Sequence, residues 1–284
     1  MRFQTKKINL NKFNEGCKEM AKIKHIYRLE NFEFDNLKDA ERFNEYLSIF
    51  RRLQLKELYL GYKNGIDYRI YAKSEYNEKQ MREIRYGLES KIDVSMYAKP
   101  EFNEDQMEQI RSGLESKWDV RFYANAEFNF HQMRQIIYGL IEGLDVSIYS
   151  KPEFDWVQMK MLRLGLEKGL DVTFYANPEL NYFQMEQIRE GLEKGLDASW
   201  YAKPEFDYEQ ITQICKGLEQ NLNVEIYAKS EFNSGQMKQI RAGLKQNLDV
   251  SIYAKPIFKA SQMKEIRLAL SNNIAVDLNS FINN

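Results

Sequence analysis

The chain has 284 residues, of which 43% are hydrophobic and 29% charged, a composition typical of folded globular proteins that excludes disordered and fibrous chains. Its 41 basic residues nearly cancel 42 acidic ones, so no strong electrostatic field favours nucleic acid or a membrane surface as partner. Two cysteines, no signal-peptide pattern and no long apolar run together predict a cytoplasmic protein without disulfides or a membrane partner.

A repeat of 26 residues without insertions organises most of the sequence. Residues 1–44 precede the repeats and are predicted to form an N-terminal helical cap. Residues 45–278 form the predicted repeat array, with a degenerate copy at 45–70, eight full copies at 71–278, and a tail at 279–284. A fixed period of this size indicates a stack of small structural units. All five prolines keep the same interval or a multiple of it: Pro100, Pro152, Pro178, Pro204 and Pro256.

The copy that begins at Tyr175 contains the signals of one long helix. Asn181 and Gln184 have the spacing of a capping box, in which each side chain bonds a backbone amide at the helix start. Apolar residues then recur at helical spacing, which predicts one buried stripe. Gly195 is placed to end the helix in a left-handed conformation. Gly191 lies in the middle of the same helix, where glycine is costly, so we expect a neighbouring helix or a tyrosine ring to approach closely there.

A second, shorter element follows at Asp197, which is placed to cap it. The sequence Val-Ser-Ile-Tyr in other copies alternates and is β-branched, so a short strand is the alternative. The aspartate cap and the alanine after the tyrosine favour a short α or 3₁₀ helix. The predicted fold class is therefore all-α, a right-handed α-solenoid of nine repeats, each with a long helix and a short α or 3₁₀ helix.

The repeated sequence motif is seen, for example, in Gln106 to Gly113 (QMEQIRSG) and in Leu170 to Tyr175 (LDVTFY). It resembles tandem repeats in uncharacterised bacterial and phage proteins, in particular those of low-GC Gram-positive bacteria. The predicted architecture is similar to the leucine-rich repeat variant, in which α and 3₁₀ helices alternate. It is more distantly similar to tetratricopeptide and pentatricopeptide solenoids. These resemblances imply a stack of helices and carry no particular activity.

The sequence contains no recognisable catalytic or cofactor-binding motif. The two histidines, His25 and His131, have no partners at metal-ligand spacing, and His131 is expected to be a solvated surface residue. We therefore predict no enzyme activity, no metal and no cofactor. A column of acidic or amide residues could suggest repeated cation sites, but helix capping explains it better because Asn223 replaces Asp: Asp93, Asp119, Asp145, Asp171, Asp197, Asn223 and Asp249.

A second column consists of arginines, often followed four residues later by glutamate. We interpret it as intramolecular ion pairs, or as a ladder with loop acids such as Glu101 and Glu153; contact with a ligand is the alternative. Cys215 stands in this column as an incidental substitution. The arginines are Arg85, Arg111, Arg163, Arg189, Arg241 and Arg267.

The first, second, fifth and ninth residues of the long helix vary most between copies, and the first, fifth and ninth share one helical face. In a repeat stack, such a variable face is the expected recognition surface, and its aromatic residues are typical of protein-binding hot spots. The alternative is that the rings cover the preceding loops and widen the core. The predicted partner-binding residues are Phe130, Trp156, Tyr182, Tyr208, Arg134, Lys160, Tyr138, Val157 and Phe183.

These observations predict a non-catalytic scaffold that binds a protein partner. By analogy with phage and bacterial accessory proteins, one specialised form is an inhibitor that wraps a host or defence protein. Single-stranded RNA is an alternative partner that the rings would suit, although the nearly neutral charge disfavours nucleic acid. A further alternative is capture of a nucleotide or small molecule between repeats, in a groove lined by the arginine and glutamine columns.

Overall fold

The computed structural model of the protein describes residues 8–9, 32–35, 37–278 and 281. The fold is all-α, and the chain divides into two compact units, residues 1–130 and 131–284. Most of the predicted N-terminal cap and of the tail lies outside the described residues, as do Cys17 and His25.

The first unit opens with a minimal antiparallel ladder in which β1 (Ile8–Asn9) pairs with β2 (Glu33–Phe34). Helix α1 (Leu37–Tyr46) follows. Three longer helices come next, and α2 packs on α3 and α3 on α4. Their bounds are α2 Arg52–Lys63, α3 Glu78–Glu89 and α4 Glu104–Glu115, followed in turn by 3₁₀ turns at Tyr68–Ile70, Val94–Met96 and Val120–Phe122.

The second unit repeats the same pair of elements. Helix α5 starts on the last residue of the first unit, and from α6 to α10 each helix packs on the next. The helices are α5 Phe130–Ile141, α6 Trp156–Glu167, α7 Tyr182–Glu193, α8 Tyr208–Leu218, α9 Ser234–Lys245 and α10 Ala260–Ser271. The 3₁₀ turns are Val146–Ile148, Val172–Phe174, Ala198–Trp200, Val224–Ile226 and Val250–Ile252.

The local signals of the sequence form as predicted. In α7, the Gln184 amide donates to Asn181 Oδ1 at 3.1 Å, and the Asn181 amide donates to Gln184 Oε1 at 2.8 Å. Gly195 ends the helix with φ +71°, the left-handed conformation that glycine adopts without strain. Asp197 caps the following 3₁₀ turn by accepting from the Ser199 amide at 3.0 Å. The second element is therefore a 3₁₀ turn, and the strand alternative is wrong.

The capping glutamine also joins consecutive repeats, which the sequence pattern did not predict. Gln184 is buried, and its Nε2 donates to the carbonyl of Phe206 at 2.6 Å, just before helix α8. Within the first unit, Gln80 donates in the same way to Phe102 at 2.6 Å. Each bond satisfies a backbone carbonyl outside any helix, and a buried carbonyl without a partner would cost about 1–3 kcal/mol.

Close approach by a tyrosine ring explains the glycine in the middle of the helix, as predicted. Tyr175 is fully buried, and its hydroxyl donates at 3.3 Å to the carbonyl of Met161, four residues before Gly165. A Cβ at Gly165 would collide with this hydroxyl and lie 2.7 Å from Val172 Cγ1. Burial raises the pKa of Tyr175, so the hydroxyl remains a protonated donor at neutral pH.

The last helix supports this explanation. Ala269 occupies the glycine position in α10, and the residue one repeat after Tyr253 is Asn279 rather than tyrosine. Because no tyrosine ring has to be accommodated there, alanine, the stronger helix former, is tolerated.

Replacement of Gly165 by alanine is expected to destabilise the protein by about 1–3 kcal/mol, the usual cost of overpacking a core. At an unhindered helical site the same change would stabilise by about 1 kcal/mol. Urea denaturation followed by circular dichroism measures the difference.

The double variant Gly165→Ala, Tyr175→Phe is the control, because it removes the hydroxyl that meets the new methyl group. The double variant should lose less stability than the sum of the two single changes. Additive losses would contradict the proposed contact.

Candidate functional site

The variable face of the second unit carries a line of exposed rings at the helix starts. Trp156, Tyr182 and Tyr208 are the first residues of α6, α7 and α8, and Phe183 is the second residue of α7. We call these four residues the aromatic row. Their exposed fractions are 41%, 40%, 45% and 47% respectively. The alternative in which the rings are absorbed into a wider core therefore does not describe these four side chains.

Ring contacts join members of the aromatic row. The centroids of Tyr182 and Phe183 are 3.9 Å apart, and those of Phe183 and Tyr208 are 5.6 Å apart. His131, which is exposed as predicted, lies with its ring 5.7 Å from that of Trp156. Such contacts limit rotamer freedom, so binding at this surface would lose less side-chain entropy than binding at isolated rings.

The other predicted binding residues differ in exposure. Arg134 and Lys160 are exposed, whereas Phe130, Val157 and Tyr138 are half-buried. Phe130 belongs to the first unit, so it is not part of the aromatic row.

The ring of Tyr138 makes cation–π contacts with two arginines of the second unit. The guanidinium carbons of Arg134 and Arg163 lie 5.3 Å and 5.6 Å from its ring centroid. The Tyr138 ring thus packs against two arginines, and a smaller fraction of Tyr138 is exposed than of each residue in the aromatic row.

A groove of about 340 Å³ begins at the end of the aromatic row, between α8 and α9. Tyr208, Thr212, Ser234, Gly235 and Lys238 are among its lining residues. Gly235 and Ser234 are smaller than the residues at these positions in α6 and α7, which explains the depression. The sequence pattern identified the large aromatic residues and did not predict the groove that the small residues leave.

The arginine column forms ion pairs and hydrogen bonds within the protein, as the first interpretation predicted. Arg85 has only 7% of its side chain exposed, and it donates to Glu89 at 2.7 Å and to Glu57 on the preceding helix at 3.0 Å. Arg111 pairs similarly with Glu115 and Glu83, each at 3.0 Å. The cross-repeat partners are thus helix residues, and the predicted ladder with loop acids such as Glu101 and Glu153 is wrong.

The second unit keeps this arrangement with glutamine as the cross-repeat acceptor. Arg163 Nε donates to Gln135 at 3.3 Å and Arg163 Nη1 pairs with Glu167. Arg241 and Arg267 donate to Gln213 and Gln239, again at 3.3 Å.

Arg189 is different because the residue at its acceptor position is Met161. Arg189 pairs with Glu193, but its Nε is buried without a hydrogen-bond partner. A buried N–H without an acceptor costs free energy.

Cys215 replaces the arginine in α8 and lies beside a second cavity, of about 220 Å³. Gln187, Gly191, Lys194, Thr212 and Glu219 also line this cavity. Cys215 is 7% exposed, and burial raises the pKa of its thiol to about 12. At neutral pH it is a protonated, uncharged group, unsuited to nucleophilic chemistry.

Among the described residues, no group of histidine, cysteine and acidic side chains could hold a metal ion. No helix within the same part of the chain has the length and apolar character needed to cross a membrane. Comparison of the chain with protein families, with curated proteins and with solved structures found no significant match.

Replacement of Met161 by glutamine should stabilise the protein by about 0.5–1.5 kcal/mol, the net value of one hydrogen bond. Glutamine supplies the acceptor that Arg189 Nε lacks, as Gln135 does for Arg163. Urea denaturation of the variant measures the gain. In an Arg189→Leu background the same substitution should give no gain, and an equal gain there would show that another contact is responsible.

Alkylation of Cys215 should be slow while the protein is folded. In a Cys17→Ser background at pH 8, we expect iodoacetamide to react at least about a hundredfold more slowly than after unfolding in urea, since a raised pKa and burial both reduce available thiolate. Equal rates, measured by mass spectrometry, would contradict the buried environment.

Proposed function

We propose that this chain is a non-enzymatic scaffold that binds a protein partner through the aromatic row and the charged residues beside it. The observation that carries the proposal is the exposure of four neighbouring rings, each at 40% or more. Contiguous exposed apolar groups on a folded domain mark interaction surfaces. Tryptophan and tyrosine are also the residues most enriched in binding hot spots.

The charges beside the aromatic row favour a protein over a nucleic acid. The fifth residues of α6, α7 and α8 are Lys160, Glu186 and Thr212, so one positive, one negative and one neutral side chain follow each other. Nucleic-acid binding depends on neutralising consecutive phosphates and needs a continuous basic surface. A mixture of charges around an aromatic centre instead matches the polar rim of a protein interface.

Internal hydrogen bonds also count against nucleotide capture by the arginine and glutamine columns. Arg163 bonds Gln135 and Glu167, and Gln184 Nε2 bonds the Phe206 carbonyl. Groups already paired within the fold would have to exchange these bonds for contacts with a phosphate.

An inhibitor of a host or defence protein is the specialised form that we propose for this scaffold. Its basis is the resemblance of the repeats to those of bacterial and phage proteins, together with a surface suited to holding a protein. The cytoplasm is the proposed compartment, on the composition of the sequence.

Affinity capture with the purified chain tests the proposal. We expect the wild-type protein to retain one protein at constant stoichiometry, and the Trp156→Ala, Tyr182→Ala variant to lose it. Truncation of two central anchors should weaken binding by about 2–4 kcal/mol or more.

Phe174→Ser is the matched control, because Phe174 is 43% exposed but lies on a 3₁₀ turn outside the aromatic row. This variant should retain the captured protein. Equal retention by all three proteins would refute the choice of surface, and recovery of salt-sensitive RNA instead of protein would refute the partner class.

A further inference from the structure

The geometry points to a guanidinium-binding site in the cavity beside Cys215. The ligand is an arginine side chain of a bound polypeptide or a small guanidino compound, which share this chemistry. The protein itself provides the template, because other repeats place their own arginine where this repeat has Cys215.

The two acceptor positions of the arginine column are both retained around Cys215. Gln187 corresponds to Gln135, which accepts from Arg163 Nε at 3.3 Å. Glu219 lies four residues after Cys215, as Glu167 does after Arg163, with which it pairs. Both retained acceptors line the cavity. The substitution has therefore removed a cation and kept the groups that bind it.

Glu219 already accepts from Lys194 Nζ at 2.6 Å, and the preceding repeat shows that such a carboxylate holds a second cation. Glu193 accepts from Lys168 Nζ at 2.7 Å and pairs with Arg189 at the same time. One carboxylate there serves an ammonium and a guanidinium together. Glu219 has the same lysine and no arginine of its own.

Gln187 can also accept a hydrogen bond from a guanidinium group. Its Oε1 accepts from Thr212 Oγ1 at 2.8 Å, and its Nε2 donates to Glu190 at 3.3 Å. A carbonyl oxygen has two acceptor sites, so Gln187 can accept from a guanidinium while it holds Thr212.

The packing near this cavity differs from that of the preceding repeat in two further ways, one substitution and one changed hydrogen bond. Ala198 replaces the valine found at Val172, and the Tyr201 hydroxyl bonds the Leu196 carbonyl at 3.3 Å instead of the helix carbonyl used by Tyr175. Gly191, which meets the Tyr201 ring, is itself part of the cavity lining.

The size of the cavity suits one functional group. Its volume of about 220 Å³ is below the roughly 300–1,000 Å³ of pockets that hold whole drug-sized ligands. Planar guanidinium makes directional bonds to carboxylate and amide oxygens, whereas an ammonium is a point charge with stronger hydration. Arginine is therefore preferred over lysine at this site.

The cavity opens on the same helical face as the aromatic row. Tyr208, Thr212 and Cys215 are the first, fifth and eighth residues of α8, and residues four and seven apart share a face. Thr212 lines both this cavity and the groove beside Tyr208. An arginine of a polypeptide on the aromatic row can thus reach the cavity, although the site's own chemistry does not require the row.

Titration with N-acetyl-L-arginine amide, monitored by amide chemical shifts in NMR spectra, tests the site. We expect saturable millimolar binding, with shifts at Thr212 and Glu219, and binding of N-acetyl-L-lysine amide at least about tenfold weaker, as expected from the loss of one charge-assisted hydrogen bond. Agmatine distinguishes the sources: micromolar affinity for agmatine indicates a small-molecule ligand, and equal millimolar affinities indicate a polypeptide arginine.

Cys215→Arg should abolish probe binding and raise the thermal midpoint, because the new side chain occupies the cavity and pairs with Gln187 and Glu219. Cys215→Ile fills the same space without charge, as Ile137 does in α5, and should also abolish binding. Cys215→Ser should retain binding, and Glu219→Gln should weaken it at least about tenfold.

Equal binding by wild type and Cys215→Ile, or no saturable binding by wild type, would overturn the assignment. The result is separable from the proposed function, because the aromatic-row variant Trp156→Ala, Tyr182→Ala should bind the arginine probe normally.

Discussion

The repeat depends most on the hydrogen bonds of the glutamine at the third position of each repeat helix, a side chain that is buried from α2 to α9. Gln184 accepts the cap amide of its own helix with one side-chain atom and donates into the next repeat with the other. Helix initiation and repeat stacking therefore use the same side chain. A substitution there would leave buried backbone groups unsatisfied on both sides, which accounts for glutamine at this position in every full copy.

The tyrosine and glycine columns are consequences of the same packing. A tyrosine hydroxyl such as that of Tyr175 reaches a helix carbonyl only where the helix has no Cβ, at Gly165. The intrinsic cost of glycine in a helix, about 1 kcal/mol, is offset by a buried hydrogen bond and a fully packed ring. Between them, glutamine, tyrosine and glycine occupy the faces used for stacking.

Residues that depart from the repeat pattern change either the exposed surface or the hydrogen bonding between repeats. Rings at the starts of α6, α7 and α8 create an exposed aromatic surface, and small residues at the start of α9 create a groove beside it. Met161 removes one acceptor and leaves the Arg189 Nε unpaired, whereas Cys215 removes a donor and leaves its acceptors lining a cavity. The exposed rings, the groove, the unpaired Arg189 Nε and the cavity therefore all arise where the chain departs from its repeat.

By itself, the sequence determined the period, the helix caps, the left-handed residue at Gly195 and the intrahelical pairs such as Arg85 with Glu89. These features depend on residues only a few positions apart, which propensity and spacing describe directly. The tertiary structure alone decided the second partner of Gln184, the pairing of Arg85 with Glu57 rather than a loop acid, the exposure of the aromatic row and the cavity at Cys215. Each of these depends on which side chains of neighbouring repeats meet, and hence on the stacking geometry rather than on local spacing.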